Sequence, residues 1–287
     1  MSMIAKDLLR VLAPNPSPLT GPGTNTFVIG ARERVVIDPG PDDPAHLAAV
    51  LEAAEGRVSH ILVTHPHLDH SAGAGRLAAM TGAPVLAFGG ATAGRSPEMA
   101  RLAAGGLVGG GEGLDHRFSP DIRLHDGAVL DTPAGAIQAL HTPGHCGAHL
   151  CFAWQDVIFT GDIVMGWSST LISPPDGDLT DYFRSLARLA ALAPQRLLPA
   201  HGDPIEAPLP RLAELAAHRR ARTAQILAEL SRAPGSPETL ARRIYEVAPA
   251  LLPAATRNVL SHLVALHAIG AVETSAEIGA DSIFSLP

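Results

Sequence analysis

The 287 residues, 46% of them hydrophobic, are enough for one large domain and a smaller one. No run approaches 18 consecutive apolar residues, which excludes a helical membrane span, and a net charge of −7 excludes the basic footprint of a protein whose main task is gripping nucleic acid. Aromatic residues make up only 4%, so the core must be built largely from Ala, Leu and Val, while 28 Gly and 25 Pro call for many turns.

Met1 to Leu12 carries Lys6, Asp7 and Arg10 among its apolar residues and makes a poor secretory leader, so a cytoplasmic location is the default expectation. Thr26–Ile29 and Arg34–Ile37 read as a hairpin closed by Asp38-Pro39-Gly40, and Pro44–Ala54 has helical spacing. The apolar run Ile61-Leu62-Val63-Thr64 then delivers the most informative stretch of the chain, His65-Pro66-His67-Leu68-Asp69-His70. Four side chains able to bind a metal fall within six residues. His65 and His67 alternate and can converge on one cation, and Asp69 and His70 extend the cluster past the span of a single four-coordinate ion. Nitrogen donors with one carboxylate suit zinc, or a borderline divalent metal such as iron or manganese.

Ser71–Met80 is expected as a helix whose N-terminus adds positive potential beside this loop, followed by a strand at Pro84–Phe88. Residues 105–118, rich in Gly and broken by charge, read as an extended loop. A second strand-rich half follows at Ala128–Leu130, Ala136–Leu140, Leu150–Trp154 and Val157–Thr160. Asp178 caps a helix over Leu179–Leu192 with an acidic first turn. Three more polar residues stand where an apolar run meets a Gly or Pro turn: His145 in Thr142-Pro143-Gly144-His145, Asp162 after Val157–Gly161, and His201 in Leu198-Pro199-Ala200-His201-Gly202. His141 is the rival of His145 but more naturally ends the preceding strand.

After His201 the composition changes. Residues 1–204 hold 13 Lys and Arg against 20 Asp and Glu, whereas 205–287 hold 8 against 8. Leu209–Leu230 has helical spacing, Ser236 caps a helix with Pro237 in its first turn running to about Val247, and Ala254–His267 is a third helix stopped by Gly270. Ala271–Glu273 and Ser282–Phe284 can pair as a hairpin, which makes the segment winged-helix-like. Its zero net charge argues against sequence-specific DNA binding, and packing on the preceding domain, shaping its cleft or forming a homodimer surface is expected instead. Arg219, Arg220 and Arg222 read as a solvated helix face.

The metal loop resembles the H-x-H-x-D-H signature of the metallo-β-lactamase fold superfamily, and Thr142–His145, Thr160-Gly161-Asp162 and Ala200-His201-Gly202 match the family's later motifs in order. Within it the chain is similar to the β-lactamase-like protein 2 group, through these motifs, Gly21–Thr26, His218-Arg219 and Gln225–Leu227. Periodicity alone gives α/β or α+β. The resemblance implies an αββα sandwich of two mixed sheets over residues 1–205, with metals at one edge between them and a winged-helix-like domain over 206–287. It implies His65, His67 and His145 on one metal, Asp69, His70 and His201 on a second, and Asp162 bridging them. Hydrolysis by a hydroxide shared between two divalent ions is the activity so implied, with Asp69 also orienting the hydroxide.

Some members of that group cleave single-stranded RNA, which makes a phosphodiester the leading substrate class, with a small molecule as the other. Thioester, ester or lactone hydrolysis of the glyoxalase II kind shares all seven ligands. A metal-stabilised binding module using its winged helix is the non-enzymatic alternative. A bridging carboxylate disfavours β-lactamase activity. Thr24, Asn25, Ser168, Ser169, Thr170 and Tyr182 are taken as cleft residues, and His149 as either structural or close to the metals. Cys146 and Cys151 are expected as packing residues without a disulfide. His46, His60, His116, His125, His218, His262 and His267, outside every motif, and Asp203, in a turn, are expected to have no chemical role.

Overall fold

The computed structural model describes residues 1–109, 113–275 and 277–287. The first half contributes β1 (Ser2–Ala5), β2 (Leu8–Leu12), β3 (Asn25–Ile29), β4 (Arg34–Ile37), α1 (Pro44–Ala53), β5 (Val58–Leu62), α2 (Leu68–Ser71), α3 (Ala74–Thr81), β6 (Val85–Ala87), α4 (Pro97–Ala104) and β7 (Ile122–Arg123). Its seven strands form one sheet in chain order, antiparallel from β1 to β4 and parallel from β4 to β7. The second half contributes β8 (Val129–Thr132), β9 (Gly135–His141), β10 (Leu150–Trp154), β11 (Val157–Gly161), α5 (Leu179–Ala191) and β12 (Arg196–Pro199). Here the sheet order is β12-β11-β10-β9-β8, with only β11 and β12 parallel.

The apolar runs are continuous because both faces of each sheet are covered. Phe27, Ile29, Val35, Ile37 and Leu62 from one sheet meet Ile137, Phe152, Phe159 and Leu198 from the other. Their neighbours one residue away point outward: Val28, Val36 and Ile61 pack on Leu47 and Val50 of α1 and Leu77 of α3. On the second sheet Cys151 and Ile158 pack on Tyr182, Leu186 and Leu189 of α5. The result is the four-layered αββα sandwich, helices outside and sheets within.

The remaining elements are α6 (Pro208–Leu230), α7 (Pro237–Ile244), a 3-10 turn at Pro249–Leu251, α8 (Leu252–Ala268) and a hairpin of β13 (Glu273–Thr274) with β14 (Phe284–Ser285). Ile226, Leu230, Leu240, Val259, Leu260 and Leu263 form their common core, which also takes in Met99 and Leu102 of α4. The first half of α6 instead adds Leu212 and Leu215 to the cluster beneath α5. One long helix thus joins both packing units.

Several expectations need correction. The helix expected over Ser71–Met80 begins earlier and breaks: α2 ends at Ser71, and a Cβ on Gly73 would lie 2.9 Å from Leu47 and 3.1 Å from the carbonyl of Gly40. The strands β1 and β2, and α4 with Ser96 accepting from the Met99 amide as its cap, have no counterpart among the expected elements. Of the loop expected over 105–118, residues 110–112 lie outside the described residues.

Candidate metal centre

Parallel pairing puts the C-terminal ends of β4 and β5, and those of β11 and β12, at the same edge of the sandwich. Asp38 follows β4, the 65–70 loop follows β5, Asp162 follows β11 and His201 follows β12. Asn25 stitches the two sheets together there, its amide nitrogen donating to the carbonyls of Pro199 and Gly202 at 3.0 and 2.8 Å and its backbone N–H to Ala200 at 2.7 Å. Gly161 has φ +47°, and a Cβ on it would lie 2.7 Å from His149 Nε2 and 2.8 Å from Thr64 Oγ1. Only glycine lets β11 turn Asp162 into the cleft this closely.

His65 Nε2 lies 3.1 Å from His67 Nδ1, which lies 3.0 Å from His145 Nε2. Asp69 Oδ2 lies 3.3 Å from both His70 Nε2 and His201 Nε2. Asp162 stands between the two groups: Oδ1 is 3.5 Å from His70 and 3.3 Å from His201, and Oδ2 is 3.8 Å from His145. All seven predicted ligands are therefore brought together, forming three overlapping donor groups. Donors around one tetrahedral zinc ion lie about 3.3 Å apart, so this spacing fits divalent cations. The buried atoms His70 Nε2 and Asp162 Oδ1 have no hydrogen-bond partner among the described residues, as ligand atoms facing a cation would not.

The far side of four of the five imidazoles is tied down. His70 Nδ1 lies 3.0 Å from Asp38 Oδ2, which also accepts from Thr64 Oγ1 at 2.8 Å, and Thr64 Oγ1 in turn lies 3.0 Å from His65 Nδ1. Asp38 thereby orients two histidines, one directly and one through Thr64. His145 Nδ1 lies 2.8 Å from the Leu171 carbonyl and 3.0 Å from Thr170 Oγ1, and His201 Nδ1 lies 3.2 Å from the Gly23 carbonyl. Donation from Nδ1 leaves the Nε2 lone pair of these four free for a metal. Thr24 Oγ1 donates to Asp69 Oδ2 at 3.0 Å, and the backbone N–H of Asp162 donates to buried His149 Nε2 at 3.2 Å. His149 is thus a positioning group.

Burial, with the neighbouring imidazoles, drives His65 well below its ordinary range and His67 down to about 3. Burial also opposes charge on Asp69 and Asp162, but His70 and His201 outweigh it, and both carboxyls sit well below their ordinary range. The same coupling overcomes burial at His70, raised well above its ordinary value, and at His201, raised to about 10.

Above the ligands lies a cleft of about 370 Å³. Its walls include Leu19, Met165, Trp167, Ser168, Ser169 and Thr170 from the sandwich, and Tyr245, Val247, Leu251, Ala254, Ala255 and Asn258 from the C-terminal segment. No lysine or arginine is among its described wall residues. Ser168, Ser169 and Thr170 therefore lie where expected, but Thr24, Asn25 and Tyr182 do not: all three are buried, Thr24 against Asp69, Asn25 in the stitch described above and Tyr182 under α6. His141 faces away from the ligands, bonded through Nε2 to the Gly147 carbonyl at 2.8 Å and stacked on Phe88. Cys146 and Cys151 are free and buried, and burial raises both thiols, Cys151 to about 12.

Arg219 corrects another expectation. It is only 1% exposed, its guanidinium donating to the Thr170 carbonyl and, at 2.9 Å, to Asn258 Oδ1, with the Tyr182 ring 5.5 Å away. Asn258 Oδ1 also accepts from the Ile172 backbone N–H at 3.2 Å. From helix α6 this arginine braces the 170–172 segment that holds His145. Asp38 and Thr64 carry no ligand motif of their own and Arg219 enters only through the His218-Arg219 match, so the supporting roles of all three emerge from the β4–β5 pairing and the α6 packing.

A profile described as the Metallo-beta-lactamase superfamily matches residues 19–201. A Drosophila melanogaster protein named Beta-lactamase-like protein 2 homolog is 30% identical over 292 aligned residues, 96% of this chain and 92% of the fly protein. An Aspergillus fumigatus protein named atrochrysone carboxyl ACP thioesterase is 29% identical over 215 residues, which cover 72% of this chain but only 59% of the fungal protein. The solved metallo-beta-lactamase family protein TTHA1429 from Thermus thermophilus superposes with a TM-score of 0.80 at 25% identity, covering 99% of this chain and all of that one.

Proposed function

We propose, for a chain that belongs to the metallo-β-lactamase superfamily, a binuclear metallohydrolase acting on carboxylic esters or thioesters. In this reading His65, His67 and His145 hold one divalent ion, Asp69, His70 and His201 hold the other, and Asp162 bridges them. Zinc is the first expectation from the donors, with iron or manganese also suited. Bound there, the ions would polarise a substrate carbonyl and lower the pKa of water towards neutrality.

The chain's own residues supply the rest. His149 and Asp38 hold the bridging carboxylate and two imidazoles in place. Asp69 Oδ2 takes the contacts to His70, His201 and Thr24, which leaves Oδ1 to hold the proton of an attacking water and return it to the leaving group. At 25% side-chain exposure Asp69 is also more open to the cleft than Asp162, at 11%.

The cleft wall supports the choice of substrate class. Aliphatic and aromatic side chains with serine and threonine, and no cation, favour a neutral acyl group over a polyanion. The similarity to a named thioesterase supports the same reading. Cleavage of single-stranded RNA is the second reading, favoured by full-length similarity to the β-lactamase-like protein 2 homolog and by the winged-helix-like segment that we assign to residues 206–287. The free, buried cysteines suit a reducing cytoplasm.

Assay of metal-loaded protein on thioester, lactone and single-stranded RNA substrates tests both readings. Thioester or lactone turnover, lost at least a hundredfold in His67→Ala while circular dichroism stays native, is expected. RNA cleavage without acyl turnover would transfer the assignment to the second reading.

A further inference from the structure

The metal cleft continues beyond its ligands. It opens into a second cavity of about 1160 Å³, and the two share Ser17, Pro18, Leu19, Leu171, Leu251 and Ala254 as common walls. We propose that this second cavity is an acyl-chain subsite, holding the apolar body of a substrate whose ester or thioester carbonyl sits at the metal centre. The proposal rests on the acyl-hydrolase reading above.

Three observations carry it. Leu107, Val108, Leu252, Pro253 and Ile278 make the far walls apolar. Leu19 at the shared neck and Val108 at the far rim are 46% and 76% exposed, large apolar side chains facing solvent unless something covers them. The charges present are committed or balanced. Arg242 donates through Nε and Nη2 to Glu238 Oε1 at 2.9 and 2.6 Å, Arg257 donates to the Val108 carbonyl, and Glu277 in the same wall brings the carboxylates level in number with the guanidiniums. Such a groove offers a phosphate chain little and a hydrocarbon chain or fused ring system a great deal. Its opening onto the ligands lets one molecule fill both spaces, with the scissile carbonyl in the smaller and the acyl body in the larger.

Burial of one methylene is worth about 0.8 kcal/mol at most, or roughly fourfold in affinity. Binding of straight-chain carboxylates, as product analogues, to metal-loaded protein should therefore tighten two- to fourfold per methylene from butanoate to dodecanoate when titrated calorimetrically (an order-of-magnitude expectation). Val108→Glu, at an exposed position, and Thr256→Trp, which fills the groove from α8, should both abolish that slope without changing metal content. A slope that is absent in the wild type, or kept in both variants, overturns the subsite. If the slope is present and lost in the variants but no ester or thioester is hydrolysed, the subsite stands and the acyl-hydrolase reading fails. If short acyl thioesters are hydrolysed and the slope is absent, the subsite falls and that reading stands.

Discussion

Asp38 is the residue on which the metal centre turns without being one of its ligands. It sits at φ +51° at the end of β4, receives Thr64 through both the backbone and the hydroxyl, and fixes His70 and, through Thr64, His65. Asp38→Asn keeps the shape but puts a donor where an acceptor is needed. Metal affinity should fall about 10- to 100-fold by chelator competition, the range for such supporting carboxylates, and an unchanged affinity would refute the role. A second expectation concerns pH. The folded metal-free protein binds protons at His70 and His201 more tightly than the unfolded chain does, since one is raised well above its ordinary value and the other to about 10. Their contribution to stability is complete below about pH 6.5 and is lost as pH rises towards 10. The Tm of metal-free protein should fall across that window, while metal-loaded protein, in which the cation replaces those protons, should not follow it. A flat metal-free profile would contradict the coupling. The ligands themselves were legible in the chain because four of them fall within six residues and the other three sit on recognisable turns. Asp38 was not, because its partners lie 26 and 32 residues away and only the parallel pairing of β4 with β5 makes them neighbours.

Among the elements, α6 shows why helical spacing predicts a helix more safely than it predicts a helix's surroundings. The period placed the helix within a residue of its observed start at Pro208, yet the Arg219 face, read as solvated, is packed against α5 and α8. Charge on a helix says nothing of what will lie against it when the covering element comes from elsewhere in the chain. The guanidinium there meets a carbonyl, an amide oxygen and a ring rather than a carboxylate, so its value lies in position more than in an ion pair. Arg219→Met retains bulk and removes the hold on Thr170 and Asn258. We expect metal affinity to drop roughly tenfold through His145 with the helix content unchanged, and identical affinity would place Arg219 outside the support of the centre. The short elements were the least legible. The break between α2 and α3 owes its place to neighbours, Gly73 being pressed against Leu47 and Gly40.

For the molecule as a whole, the sandwich was readable because strands covered on both faces leave continuous apolar runs, and the metal motifs fall where those runs end. The C-terminal segment was expected to shape the cleft, but the runs could not convey which residues do so: Tyr245 and Val247 between the helices, Leu251 in the 3-10 turn and Ala254, Ala255 and Asn258 of α8 supply half of its named walls. Net charge of −7 is spread over a protein whose described cleft walls hold no lysine or arginine, so outside the metal centre the side chains offer a polyanion no steering. In the proposed centre seven side chains from four separate stretches would hold two divalent ions. Elemental analysis of protein loaded with zinc, iron or manganese and then dialysed tests it most directly. Two ions per chain in the wild type, reduced in Asp162→Ala, is the expected result; a wild-type chain that retains no divalent metal under those conditions would contradict it.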